Sequence, residues 1–142
     1  MKRSPLRKTS DRGRLRKEIG RLHLQVLLKQ RGCRCEFTGK EGGPGDFARF
    51  HIIPVARRPR LEFADQNIII YWRKDYYVWH DPYHHDQRSV LGQRIISKII
   101  ELRGPNYETD LYDIDRYTGK HDKLYLLALR QQFKDIAKEL EG

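Results

Sequence analysis

Three residues stand at spacings that could support hydrolysis of a phosphodiester. His51 lies in Arg49-Phe50-His51-Ile52-Ile53-Pro54, and Asn67 follows further along the chain. His80 sits within Val78-Trp79-His80-Asp81-Pro82-Tyr83-His84-His85-Asp86. A neutral imidazole, with an ordinary pKa of about 6.5, can take a proton from water. A side-chain amide can fix that base, and a divalent cation can neutralise the phosphate and the leaving oxygen. His51 is therefore the candidate general base and Asn67 the candidate orienting amide. His80, Asp81 and His84 are the candidate metal ligands, with His85, Asp86 and Asp75 as nearby substitutes. Imidazole and carboxylate together suit Mg²⁺ or Mn²⁺ first, and Zn²⁺ as well. Each residue alone also has a plainer reading, as a strand histidine, a turn asparagine or part of a surface aromatic cluster. The crowding of donor groups over residues 80–86 is a stronger signal than any single member.

For His51 and His80 to meet, the intervening chain must form a hairpin followed by a helix. Residues 47–55 contain a short apolar strand stopped by Pro54, and residues 67–72 (Asn-Ile-Ile-Ile-Tyr-Trp) read as a β-branched and aromatic strand. The Gly- and Pro-rich stretch 41–45 must be a loop. Apolar residues at helical spacing predict a basic amphipathic helix over 15–29, a helix over 90–102 ended by Gly104-Pro105, and a last helix through Leu126, Leu129, Phe133, Ile136 and Leu140. Residues 107–121 read as an acidic, Tyr-rich connector. The order predicts an α+β fold with a small hairpin core and flanking helices. Residues 1–14 read as a flexible basic arm, and 15–142 as a single domain.

Charge points to the partner. Residues 1–34 hold 12 Lys/Arg against Asp11 and Glu18, while residues 35–142 hold 17 of each sign. The whole formal surplus of +10 is thus N-terminal, an electrostatic footprint for polyphosphate. Lys2, Arg3, Arg7, Lys8, Arg12 and Arg14 are expected to contact DNA from the arm. Arg57, Arg58, Arg60 and Arg73 are expected to do so from the body, since Arg forks match phosphate oxygens. The chain has no apolar run long enough to span a membrane and no apolar signal-peptide core, so a cytoplasmic protein is expected. Cys33 and Cys35 are too close in sequence for a good disulfide and suit a reducing compartment.

At these residues the sequence resembles the HNH (ββα-metal) endonucleases. Cys35-Glu36-Phe37-Thr38-Gly39 lies over that family's first cysteine knuckle, His51-Ile52-Ile53-Pro54 over its base motif, and Asn67 to His80 over its last stretch. It is more closely similar to the NinG (Rap) family of lambdoid phage recombination nucleases. Leu61-Glu62-Phe63-Ala64-Asp65-Gln66-Asn67-Ile68, the phrase Tyr112 to Asp115 and a basic final helix carry that likeness. The resemblance implies a ββα-metal core, His51 as base, Asn67 as its orienter and loop tie, and His80 as a metal ligand. It also implies a phage- or prophage-encoded protein of the bacterial cytoplasm acting on duplex or branched DNA, whose symmetric arms a homodimer would suit.

The departures from the family pattern matter as much. The four knuckle positions read Cys35, Thr38, Trp72 and Asp75, so no structural zinc is expected there. Two positions where relatives carry metal ligands read Phe50 and Tyr76. The first expectation is a metal-dependent DNA endonuclease. Its rival is a non-catalytic DNA-binding recombination accessory protein on a degenerate HNH scaffold. An RNA-binding protein using the basic arm and the aromatics comes third.

Overall fold

A computed structural model describes residues 10–141. The chain is α+β: helix α1 (Asp11–Arg31), strands β1 (Phe47–His51) and β2 (Ile68–Trp72), then helices α2 (Tyr76–His85), α3 (Val90–Arg103), α4 (Tyr107–Tyr117) and α5 (Lys123–Glu141). Among the described residues no helix is long and apolar enough to cross a membrane.

Helix α1 begins earlier than its apolar spacing predicts. Ser10 caps it, its Oγ accepting from the Gly13 N–H at 3.0 Å, and Asp11 in the first turn complements the helix dipole. Arg12 and Arg14 are therefore helical, not part of a flexible arm, while Lys2, Arg3, Arg7 and Lys8 lie outside the described residues. The helix serves two apolar clusters. Leu27 and Leu28 join the main core around the hairpin, whereas Leu15, Ile19 and Val26 pack with Phe63 and with Leu126 and Phe133 of α5. Each such side chain stabilises the fold by roughly 1.5–3 kcal/mol when fully buried.

The strands pair antiparallel, with Phe47 opposite Trp72 and His51 opposite Ile68. Asn67 ends a short 3-10 turn and does not open the second strand. Ile68 to Tyr71 are all buried. The outer edge of β2 is closed by residue 36: the Glu36 N–H donates to the Ile70 carbonyl at 2.8 Å, and its carboxylate accepts the Ile70 N–H at 2.6 Å. Arg31 and Arg103 both bridge that carboxylate to the Ile68 carbonyl. The residues read as a degenerate knuckle thus protect a sheet edge. Trp72 packs edge-on against Phe47 and under Lys40, and a Cβ on Gly42 would stand 2.5 Å from its ring.

Residues 107–117 form helix α4, where the sequence suggested a connector. Tyr107 and Leu111 are buried one turn apart, and Glu108 and Asp110 sit in the first turn, where the dipole favours them. The chain enters α4 from Gly104, which ends α3 at φ +95°.

The position of the α1 cap is testable. Ser10→Ala should lower stability by about 1 kcal/mol and speed amide exchange selectively in the first turn of α1. A flexible arm reaching residue 14 would show neither effect.

Candidate functional site

His51 ends β1, and its Nε2 lies 3.1 Å from the Glu62 carbonyl. A carbonyl can only accept, so Nε2 carries the proton and Nδ1 keeps a free lone pair. Burial, reinforced by the Arg49 charge, pushes the imidazole down to about 3. It is therefore neutral at physiological pH and able to accept a proton, although the same burial weakens it as a base; an anion bound beside it would raise it again.

Asn67 does not touch the His51 ring. Its fully buried amide accepts the Ile53 N–H at 2.8 Å and donates to the carbonyls of Ile53 and Leu61 at 3.0 and 3.2 Å. It closes the loop between the strands. Leu61 precedes Glu62, so Asn67 orients His51 only through the backbone that presents the Glu62 carbonyl.

Helix α2 packs against the hairpin through Phe50. Side chains alternate along a strand. Phe50 therefore faces α2, with ring centroids 5.2 Å from Tyr83, 5.4 Å from His84 and 6.4 Å from His80. His51, the next residue, turns to the side of α1 with Arg49. The expectation that His51 and His80 look directly at each other is corrected accordingly. Tyr76 stacks on His80 at 4.2 Å, and His80 stands 4.4 Å from His84. Phe50 and Tyr76 thus both meet His80, Phe50 from the buried core and Tyr76 from the exposed side. His84 packs on the same Phe50 ring. Burial and the charges of His80 and His85 bring it down to about 4, against the raising influence of the His51 backbone and Asp81.

Among the described residues, the donor atoms that converge are those of His80, Asp81 and His85, all within 4.8 Å of one another. Asp81 Oδ1 lies 3.4 Å from His80 Nδ1 and 4.0 Å from His85 Nε2. His85 thus replaces His84 in the set drawn from the sequence. Two imidazoles and one carboxylate fit a divalent ion and shift preference from Mg²⁺ towards Mn²⁺ or Zn²⁺.

On the α1 side, His51 opens on a groove of about 1120 Å³. Arg14, Arg16, Lys17 and Arg21 of α1, Arg49 of β1 and Arg73 beyond β2 line it, with Glu18 and Glu62 as its acids. Both acids are already engaged: Glu62 by Arg16 at 2.5 Å, Glu18 by Arg130 and Lys134 of α5. Since Arg16 is spent on Glu62 and Arg14 pairs with Asp11, the groove is left cationic through Lys17, Arg21, Arg49 and Arg73, which make no ion pair among the described residues. Of the arginines singled out from the sequence, Arg14 and Arg73 line it, and Arg12 donates to the His121 carbonyl. Arg57, Arg58 and Arg60 are exposed on the connector after β1, outside the groove. Arg58 is held by Asp115 at 3.7 Å and covers Tyr112 of α4. Sequence reasoning missed Arg16, Lys17, Arg21 and Arg49. For α1 the signal was present, since residues 14, 17 and 21 share one helical face.

No protein-family model, curated protein or solved structure matches the chain.

Two measurements follow. Asn67→Ala strips partners from one buried N–H and two carbonyls, so it should cost about 2–3 kcal/mol in urea unfolding. Stability should also depend on pH with a defined sign. His51 and His84 titrate lower in the folded chain than unfolded, so between pH 6.5 and about 4 the unfolded chain binds more protons. Stability should therefore fall on acidification, by up to about 1.4 kcal/mol per pH unit for each histidine. His51→Gln should make that slope shallower by one such increment, and an unchanged slope would mean that the ring is not held neutral.

Proposed function

We propose that the protein is an endonuclease that hydrolyses DNA phosphodiesters in the α1 groove, with His51 as general base. The observation that carries this reading is the placement of His51: its Nε2–H is tied to the Glu62 carbonyl, and its Nδ1 is left as an acceptor beside a cationic groove. A phosphate in that groove would be neutralised by lysine and arginine. Water would give its proton to His51 Nδ1 while its oxygen bonds to phosphorus. The phosphorus–oxygen bond to the leaving group would break, and that oxygen would take a proton from solvent. Asn67 and Glu62 keep the base in one tautomer and one orientation throughout. His80, Asp81 and His85 are the residues that would hold a divalent ion; they lie on the α2 side of β1 and do not line the groove, so the positive charge beside the phosphate at His51 would come from the groove's own cations. DNA, and branched DNA in particular, is the substrate suggested by the resemblance to the HNH and NinG families.

A second reading is a DNA-binding accessory protein without catalysis. It is favoured by Phe50 and Tyr76, whose rings occupy two positions where the HNH pattern that the sequence resembles has metal ligands.

Nicking of supercoiled plasmid with Mg²⁺, Mn²⁺ or Zn²⁺ separates the two. On the first reading wild type cuts, and His51→Ala cuts about 10²–10⁴ times more slowly in single turnover. Its DNA affinity should change less than about tenfold, because the cations of the groove remain. Absence of cutting with any of these metals would leave the accessory reading.

A further inference from the structure

Strand β1 carries a cation that no carboxylate touches. Arg49 sits two residues before His51 on the same face of the strand, half-buried in the groove wall. Its Nη1 donates to the Glu62 carbonyl at 3.0 Å and lies 3.2 Å from His23 Nδ1. Both acceptors are uncharged. Among the described residues no carboxylate oxygen lies within 4.0 Å of it, and the nearby Glu62 carboxylate is taken by Arg16. Burial brings the guanidinium down to about 10 against the raising influence of the Glu62 charge, so it stays charged at neutral pH. A partly desolvated charge whose nearest carboxylate is bonded elsewhere is incompletely compensated, and an incoming anion would offset that cost.

The surroundings hold this cation in one pose. His23 is fully buried, and its Nε2 lies 2.8 Å from Asp65 Oδ1. Burial holds His23 below its ordinary value, while the His23 hydrogen bond holds Asp65 below its own. A neutral His23 donating to Asp65 must present Nδ1 as an acceptor, which is what Arg49 Nη1 meets. The other edge of the guanidinium makes no hydrogen bond to the described residues. It borders the groove beside Gly20 of α1, where a Cβ would stand 2.6 Å from Nη2 and close that edge off. Phe63 covers one face, 5.3 Å from its ring centre.

We propose that Arg49 is the phosphate-binding residue of this site, its Nη1 locked to the carbonyl that also holds His51 and its Nε–Nη2 edge receiving the phosphodiester oxygens. An arginine fork suits this double task because its donors lie in one rigid plane, and a lysine ammonium does not. The catalytic part of the inference rests on the nuclease reading; the phosphate contact does not.

The test measures duplex-DNA affinity across a salt series, with Ca²⁺ as the only divalent ion, and single-turnover cleavage of the same duplex. Wild type, Arg49→Gln and Arg49→Lys are compared after thermal melting has established that each is folded. Arg49→Gln should reduce the slope of log affinity against log salt by about 0.9, the loss of one phosphate contact. Its cleavage should fall by about 10²–10³, as when one preorganised donor is removed. Arg49→Lys should keep the salt slope but cleave at least about tenfold more slowly, because one ammonium cannot reproduce the planar fork. It carries the test if Arg49→Gln does not fold. A folded Arg49→Gln with the wild-type slope, or an Arg49→Lys that binds and cuts like wild type, would overturn the proposal and make Arg49 a structural brace. If wild type cuts nothing, the nuclease reading fails, while the salt slope still decides whether Arg49 meets phosphate.

Discussion

The Glu62 carbonyl receives two donors from one face of strand β1, the Nε2–H of His51 and an Nη1–H of Arg49. A carbonyl oxygen has two lone pairs, and here both are spoken for. The backbone that presents it is fixed on one side by Asn67, which binds the adjacent Leu61 carbonyl, and on the other by Arg16, which holds the Glu62 carboxylate from α1. The His23–Asp65 pair extends the same network, and His23 stacks on Phe133 of α5 at 4.9 Å. A turn, a strand and two helices thus converge on the orientation of one imidazole. Such a network is stable only when every member is satisfied, because an unpaired polar group in a poorly solvated interior costs more than a hydrogen bond returns. That asymmetry makes the geometry of His51 a property of the whole α1–hairpin–α5 arrangement, not of its own strand.

Strand alternation sets the second constraint. Phe50 and His51 are neighbours that must face opposite ways. The face with Phe50 is an aromatic core that continues through Tyr83, Phe37 and Trp79, where Phe37 meets Phe50 edge-on and stacks on Trp79 at 4.4 Å. Truncating a fully buried phenylalanine typically costs about 3–5 kcal/mol. A ligand-bearing residue at position 50 would have to recover that packing through metal binding. In this chain the position serves the core, and the donor groups that converge, His80, Asp81 and His85, are carried by α2 alone.

Much of this arrangement can be read from sequence because it is local. The β-branched run at 68–72 and the apolar spacing of α1, α3 and α5 are periodic signals, and each element is present in the structure. Helix α4 was hidden by composition: its acidic and tyrosine residues suggest a loop, although Tyr107 and Leu111 already stand one turn apart. Ser10 followed by Asp11 is likewise a helix start, overlooked because the basic residues around it read as an arm. The parts of the site that escaped are non-local. Nothing near Glu62 in sequence says that its main-chain oxygen holds His51, and nothing near Arg49 says that Gly20 leaves room for it. Conversely, Arg57, Arg58 and Arg60 looked suitable by proximity to His51 in sequence, but the chain turns after Pro54 and carries them outside the groove, Arg58 towards α4.

The two faces of β1 bear on how a phosphate near His51 would be stabilised. Coulombic stabilisation falls with distance and with the solvent between the charges: a unit pair at 4 Å is worth about 4 kcal/mol at the effective dielectric of a protein surface and about 1 kcal/mol in water. An ion held by His80, Asp81 and His85 belongs to the α2 side of the strand, where the Phe50 ring packs. Arg49 belongs to the His51 side and is already desolvated by α1 and Phe63. On the nuclease reading, the charge closest to the phosphate that His51 addresses is therefore a guanidinium fixed in advance by hydrogen bonds. Its cost of ordering is met during folding, when the α1 network forms, and not when substrate arrives. On the same reading Arg14, Lys17 and Arg21, exposed and at helical spacing on α1, would serve a different purpose: they would draw in and align the polyphosphate, while the half-buried Arg49 would act on the one phosphate beside the base.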